Sequence, residues 1–80
     1  MNKKKTENLY EQDKARALAG VEFGKWLFMG GSTMPDNTIV TKLADTIRAH
    51  GLELNLYNWV MVKNYSRDFL LSTCEECVNK

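Results

Sequence analysis

The segment 52–71, LELNLYNWVMVKNYSRDFLL, constrains the fold more than any other part of the chain. Twelve of its twenty residues are apolar or aromatic, a count that only the overlapping stretch 43–62 equals. A chain of 80 residues forms one small domain, which buries a limited fraction of its surface. Any hydrophobic core must therefore include this segment, and its secondary structure decides the fold class.

The pattern inside this segment is compatible with a strand or a helix. Leucines alternate over residues 52–56, as in a strand, whereas Asn55 is a suitable helix N-cap and the apolar residues after it repeat about every 3.6 positions. Strands near 21–29 and 52–62 would form a two-stranded parallel sheet, and such sheets are normally larger and covered on both faces. The sequence therefore predicts an all-α three-helix bundle, with a small α+β fold as the alternative.

The predicted helices span about residues 7–29, 38–50 and 56–78. Residues 1–5 are predicted to be a flexible basic arm, and residues 6–80 a single helical domain. Gly20 and Gly24 each cost a helix roughly 1 kcal/mol relative to alanine. Because they lie four residues apart on one face of the first helix, they predict a helix-packing surface that a neighbouring helix approaches closely.

The second helix has the clearest boundaries in the sequence. Asp36 or Asn37 is predicted to cap its start. Gly51 follows its last turn, where a left-handed residue is needed, and Leu52 is placed to pack back against Ile47 as in a Schellman motif.

Charge and hydropathy narrow the classes of partner. Eleven Lys and Arg residues oppose ten Asp and Glu residues, for a formal charge of +1, which argues against bulk nucleic acid as a partner. The longest unbroken apolar run is four residues, so no membrane span is expected. The N-terminus lacks the apolar region of a secretory signal, so a cytoplasmic protein of the producing or host cell is predicted.

Two of the three predicted helices carry more apolar residues than one buried stripe requires. A three-helix monomer cannot bury every side of two helices, and Trp, Tyr, Met and Arg carry much of the binding energy at protein interfaces. The residues predicted to form a protein interface are Trp26, Phe28, Tyr57, Trp59, Met61, Tyr65 and Arg67. The leading hypothesis is a small protein that binds another protein or itself as a homo-oligomer, such as an accessory or inhibitory protein of a phage or mobile element.

A helix-turn-helix DNA-binding protein is the first alternative. The second helix, a glycine turn at Gly51 and a third helix occur in the right order. The third helix would offer polar side chains to bases and phosphates: Asn55, Asn58, Lys63, Asn64 and Arg67. Lys3 to Lys5 would form an arm that contacts the DNA minor groove or backbone. The near-neutral charge argues against this alternative, because DNA-binding domains usually carry a basic patch.

A binder of a small phosphorylated ligand is the second alternative. The loop from Gly30 to Thr38 has small residues before a helix N-terminus, which is a common anion site. It resembles the phosphate-binding loop of flavodoxins over about eight residues, but departs from that pattern at Pro35 and Asp36. The chain is also too short for a flavin-binding sheet.

The remaining reactive residues do not form a recognisable catalytic motif. Cys74 and Cys77 are a CxxC pair that would supply half of a zinc site, so a closed site needs a second chain. His50 is the lone histidine and lies at a predicted helix end, where it is expected to cap carbonyl groups. The sequence therefore predicts no enzyme activity, cofactor or metal.

Overall fold

A computed structural model describes the backbone of residues 2–73 and the side chains of residues 10–68. Its helices are α1 (Asn2–Phe28), α2 (Asp36–Ala49) and α3 (Leu56–Thr73), with a 3-10 turn at Gly31–Thr33. No strand occurs within residues 2–73. The predicted all-α three-helix fold is therefore confirmed, and the α+β alternative is wrong because both proposed strands lie largely within helices.

The first helix begins at Asn2 rather than near residue 7, so residues 3–5 of the proposed basic arm are part of α1. The division between an arm and a domain stays a prediction. The helix ends at Phe28, and Gly30 follows with φ 124°. An L side chain rarely adopts that backbone angle, so a glycine at this position lets the chain leave α1 and turn towards α2.

The predicted side-chain cap of α2 is wrong. Pro35 occupies the N-cap position, and its carbonyl accepts hydrogen bonds from the amides of Thr38 and Ile39 at 3.0 and 3.1 Å. Proline fixes φ near the helical value and has no amide hydrogen to lose, so it suits a helix start. Asp36 is instead the first helical residue, where its carboxylate complements the positive end of the helix dipole.

The end of α2 and the start of α3 have the capping motifs that the sequence predicts. Gly51 has φ 75°, its amide donates to Arg48, and the amide of Leu52 donates to Ile47 at 3.1 Å. These two bonds form the predicted Schellman motif. Asn55 caps α3 because its Oδ1 accepts the amide hydrogen of Asn58 at 2.8 Å.

Contacts between the helices show that α3 runs parallel to α1. Arg16 of α1 bonds to Asn58 near the start of α3, and one turn later Gly20 lies against Val62 and Ser66. The closest helix pairing in the described chain is this one, between α1 and α3.

The direction of α2 is opposite to that of its neighbours. His50 Nε2 at the end of α2 lies 2.6 Å from Glu22 Oε2. Lys42, two turns earlier in α2, has its ammonium 5.8 Å from the ring centroid of Trp26, one turn later in α1. The three helices therefore run up, down and up.

The core lies where the three helices meet. Its fully buried apolar side chains are Ala19, Phe23, Leu43, Ile47 and Val62. Half-buried residues pack around them: Trp26, Leu27, Ile39, Leu52 and Trp59. Val62 belongs to the segment 52–71, which does contribute to the core, as its composition requires.

Candidate functional site

An apolar cleft of about 580 Å³ lies between α2 and α3, and residues of α1 close its base. Phe23 and Leu27 of α1 form its floor. The described apolar residues of its walls are Ile39, Val40 and Leu43 from α2, and Leu56, Trp59 and Val60 from α3. A concave, mostly apolar surface of this size falls within the range of ligand and peptide sites.

The cleft lies beside a side of α3 that the core does not cover. Val62 is fully buried in the core with residues of α1 and α2, whereas Leu56 and Val60 lie on another side of α3 and remain 79% and 46% exposed. Val40 on the facing side of α2 is 53% exposed. These three exposed residues are not among those that the sequence predicted to form an interface, so the uncovered walls are a feature that the sequence prediction missed.

One side of the cleft is polar and basic. Lys63 and Arg67 lie one helical turn apart on α3 and are exposed, and Asn64 lies beside them. No Asp or Glu occurs among the described residues that line the cleft. The site thus combines an apolar interior with a positively charged rim.

The opposite side of α3 packs against α1 without a gap at Gly20. A Cβ atom on Gly20 would overlap the Cβ of Tyr65 and lie 3.1 Å from the carbonyl oxygen of Val62 and 3.2 Å from the amide nitrogen of Ser66. Backbone atoms cannot move aside as the end of a flexible side chain can. Gly24, one turn later, is also buried.

A buried polar network adjoins this glycine contact, and sequence reasoning missed it. Arg16 is 7% exposed and Asn58 is 3% exposed. Arg16 Nε donates to Asn58 Oδ1 at 2.5 Å, and Asn58 Nδ2 donates to the carbonyl of Glu53 at 2.7 Å. The carboxylate of Asp13 accepts a further bond from Arg16 Nη1 at 2.6 Å, so the buried guanidinium has the anionic partner that such groups require.

The spacing of Arg16 contained a signal for its burial. It lies three residues before Ala19 and seven before Phe23, so it falls on the buried stripe of α1. Its guanidinium carbon also lies 4.5 Å from the ring centroid of Tyr57, a geometry suited to a cation–π interaction.

The predicted interface residues do not form one surface. Trp59 and Arg67 line the cleft, whereas Tyr57, Met61 and Tyr65 are absent from its described lining. The latter three are spaced four residues apart and so share a different side of α3.

The two predicted interface residues on α1 also differ from each other. Trp26 is half-buried, and its ring stacks on Phe23 with the centroids 5.9 Å apart. It also covers Gly31, where a Cβ atom would overlap the indole ring. Phe28 is 55% exposed at the end of α1. Trp26 therefore already supports the bundle, whereas Phe28 remains available for an intermolecular contact.

Several residues predicted to contact DNA or a phosphate already make hydrogen bonds within the chain. Asn55 caps α3 and Asn58 is buried, so neither is free to contact DNA bases, while Lys63, Asn64 and Arg67 are exposed. In the proposed phosphate loop, the amides of residues 33, 34, 38 and 39 already donate to loop carbonyls. Both functions stay predictions.

The described part of the chain contains no group of three side chains suited to hold a metal ion. Cys74 and Cys77, the pair considered as half of a zinc site, lie outside the described residues. None of the described helices has both the length and the apolar character needed to cross a membrane.

Comparison with known proteins gives no relative from which a function could be transferred. No protein-family model, curated protein or solved structure matches the chain.

Proposed function

We propose that this chain is a non-enzymatic protein that acts by binding another protein, and that the cleft between α2 and α3 is its binding surface. The observation that carries the proposal is the exposure of the cleft walls. Val40, Leu56 and Val60 present apolar side chains to solvent around a concavity of about 580 Å³. Contiguous apolar surface of this kind is typical of protein interaction sites.

Burial of these walls supplies the driving force for association. Each Å² of apolar surface removed from water contributes about 25 cal/mol, although much of that gain offsets the entropy lost on binding. Trp59 packs on the core and also lines the cleft, and Arg67 lies at its rim. An aromatic residue held at the centre of a site and an arginine at its edge are typical contributors to binding energy.

The chemistry of the cleft supports binding rather than catalysis. Ser66 is the one hydroxyl-bearing residue among its described lining, and its side chain is buried and donates to the carbonyl of Lys63 at 2.8 Å. A serine nucleophile needs an adjacent general base, and no His, Asp or Glu belongs to the described lining.

The proposal includes self-association as one form of protein binding, because a second copy also has apolar surface to bury. An accessory or inhibitory role, of the kind that phages and mobile elements encode, suits a chain of 80 residues. Such a protein would act by occupying a surface of its target.

Affinity capture with matched variants tests the proposal. Val60 in the cleft and Leu18 on α1, which is absent from the described cleft lining, are 46% and 51% exposed. We expect the wild-type protein and Leu18→Gln to retain the same partner from cells that produce the protein, and Val60→Gln to lose it. Equal retention by the two variants would exclude the cleft as the binding surface.

A further inference from the structure

We propose that the cleft binds an amphipathic helix of another protein, with carboxylates on that helix facing Lys63 and Arg67. This inference rests on the proposed function, because it specifies the partner of the same cleft. It follows from three features: the charge of the rim, the length of the walls, and the apolar side chains inside the cleft, which cannot hydrogen-bond to the backbone of an extended peptide.

The charge of the rim favours an acidic occupant. The described ion pairs of the chain are Arg16 with Asp13, Arg48 with Asp45, and His50 with Glu22. Neither Lys63 nor Arg67 takes part in any of them. When an occupant covers the apolar walls, it removes water from the two cations as well, and burial of a charge without a partner is costly.

The occupant must therefore supply the missing anions. Carboxylates on its exposed edge would pair with the rim, whereas lysine or arginine at the same place would be repelled. Because Lys63 and Arg67 lie four residues apart on α3, two carboxylates one helical turn apart match their spacing.

The dimensions of the cleft suit a short helix. The lining residues of α3 extend from Leu56 to Arg67, a rise of about 16 Å at 1.5 Å per residue. That length accommodates roughly three turns of a helix whose apolar residues recur at i, i+3, i+4 and i+7. Facing walls from α2 and α3 would contact that apolar stripe from both sides.

A helix also fits the polarity of the interior better than an extended peptide. An extended segment would place unpaired backbone amides and carbonyls against Val40, Val60 and Trp59, whose side chains in the cleft walls are apolar. A helix satisfies its backbone hydrogen bonds internally, so only its side chains need to match the cleft.

Nucleic acid fits the same surface poorly. Its phosphates would contact two cations, but the rest of the backbone would lie against exposed apolar walls at Leu56 and Val60. The formal charge of the chain is only +1, so the electrostatic attraction that normally drives DNA binding is weak.

Selection from a displayed peptide library tests the inference. Each peptide is a three-turn helix with leucine fixed at i, i+3, i+4 and i+7 and with Glu, Gln, Lys or Ser allowed elsewhere. The folded full-length chain is the target, as wild type and as the double variant Lys63→Glu, Arg67→Glu. The control target is Lys14→Glu, Lys25→Glu, which makes the same charge change at exposed positions of α1 that are absent from the described cleft lining.

We expect the wild type and the control to enrich peptides with two glutamates one turn apart, and the cleft variant to enrich lysine there. Binding of the enriched acidic peptide should weaken by at least about tenfold in Lys63→Gln, Arg67→Gln, as expected for the loss of two charge pairs. Circular dichroism verifies that each target is folded.

Four outcomes would overturn the inference. Enriched peptides without a charge preference would leave the cleft as a protein-binding site but remove the acidic partner. Absence of enrichment on any target would contradict the inference, whereas capture of a partner by the wild type and Leu18→Gln, but not by Val60→Gln, would still support the proposed function. Salt-dependent retention on DNA that is lost in Lys63→Gln, Arg67→Gln would assign the rim to nucleic acid. A dimer that the same double substitution dissociates would assign the rim to a second copy of the chain.

Discussion

The side of α3 that meets α1 differs from the side that meets α2 in how closely the helices approach. Towards α1, Gly20 brings the two backbones together and the buried pair Arg16–Asn58 is fully bonded. Towards α2, the walls are separated by a cleft whose residues Val40 and Val60 remain about half exposed. The first side contributes stability and fixes the register of the helices, whereas the second leaves apolar side chains exposed to solvent.

This difference predicts that substitutions on the two sides have separable effects. Changes between α1 and α3 should alter the free energy of unfolding, because they disturb close-packed or fully bonded groups. Changes at Val40, Leu56 and Val60 should alter binding with little effect on stability, because these side chains are about half exposed or more. The following substitutions test that separation: the largest losses of stability are expected at Gly20 and at the Arg16–Asn58 pair, and small ones at Val60 and His50.

Gly20→Leu should have the largest effect. The new side chain would overlap Tyr65 and the α3 backbone at Val62 and Ser66, so α1 and α3 must separate. We expect a loss of about 3 kcal/mol or more in the free energy of unfolding, measured by urea denaturation. The control Lys14→Leu places a leucine at an exposed position of α1 and should change stability little. Equal losses in both variants would contradict the close approach of α3 at Gly20.

Arg16→Met and Asn58→Leu should each cost about 2 kcal/mol, because each leaves a buried polar group without its partner. In the double variant both groups are removed, so the loss should be smaller than the sum of the single losses. Denaturation of the four proteins of this cycle measures the coupling. Strictly additive losses would mean that the Arg16–Asn58 bond contributes nothing beyond the separate side chains.

Val60→Gln should change the free energy of unfolding by no more than about 0.5 kcal/mol, since it alters a half-exposed side chain. The same variant should lose the captured partner. A large loss of stability would instead place Val60 in the structural core and would remove the distinction between the two sides of α3.

His50→Ala should have the smallest effect on folding among residues that bond between helices. Its ring nitrogen lies 2.6 Å from Glu22, but the His50 and Glu22 side chains are 23% and 51% exposed. Exposed pairs of this kind contribute roughly 0–1 kcal/mol. A loss comparable to that of Arg16→Met would show that the contact between α1 and α2 holds the bundle as firmly as the α1–α3 contact does.

The sequence predicted the helices and two of their boundaries correctly because these depend on local chemistry. The Schellman motif at Gly51 and the cap at Asn55 each need a residue type with a specific backbone or hydrogen-bonding property. The predicted cap of α2 was wrong because Asp36 and Asn37 are both typical N-cap residues, and their side chains suggested a later start. The helix instead begins directly after Pro35, which occupies the N-cap position without a side-chain bond.

The location of the site was harder to predict because it depends on how the helices meet. Trp26 and Trp59 look alike in sequence, yet Trp26 covers Gly31 while Trp59 lines the cleft. Arg16 was missed because arginine is normally exposed, and its burial depends on Asn58, which is 42 residues away. The position of Arg16 on the buried stripe of α1 was a local signal for its burial, but its pairing with Asn58 leaves none.

Site-specific photo-cross-linking tests the central claim most directly. A benzophenone side chain replaces Val60 in the cleft or, as a control of similar exposure, Leu18 on α1, and the protein is irradiated in cells that produce it. We predict a discrete protein adduct from position 60 and none from position 18. Adducts of equal yield from both positions, or an adduct from position 18 alone, would contradict the assignment of the cleft as the binding surface.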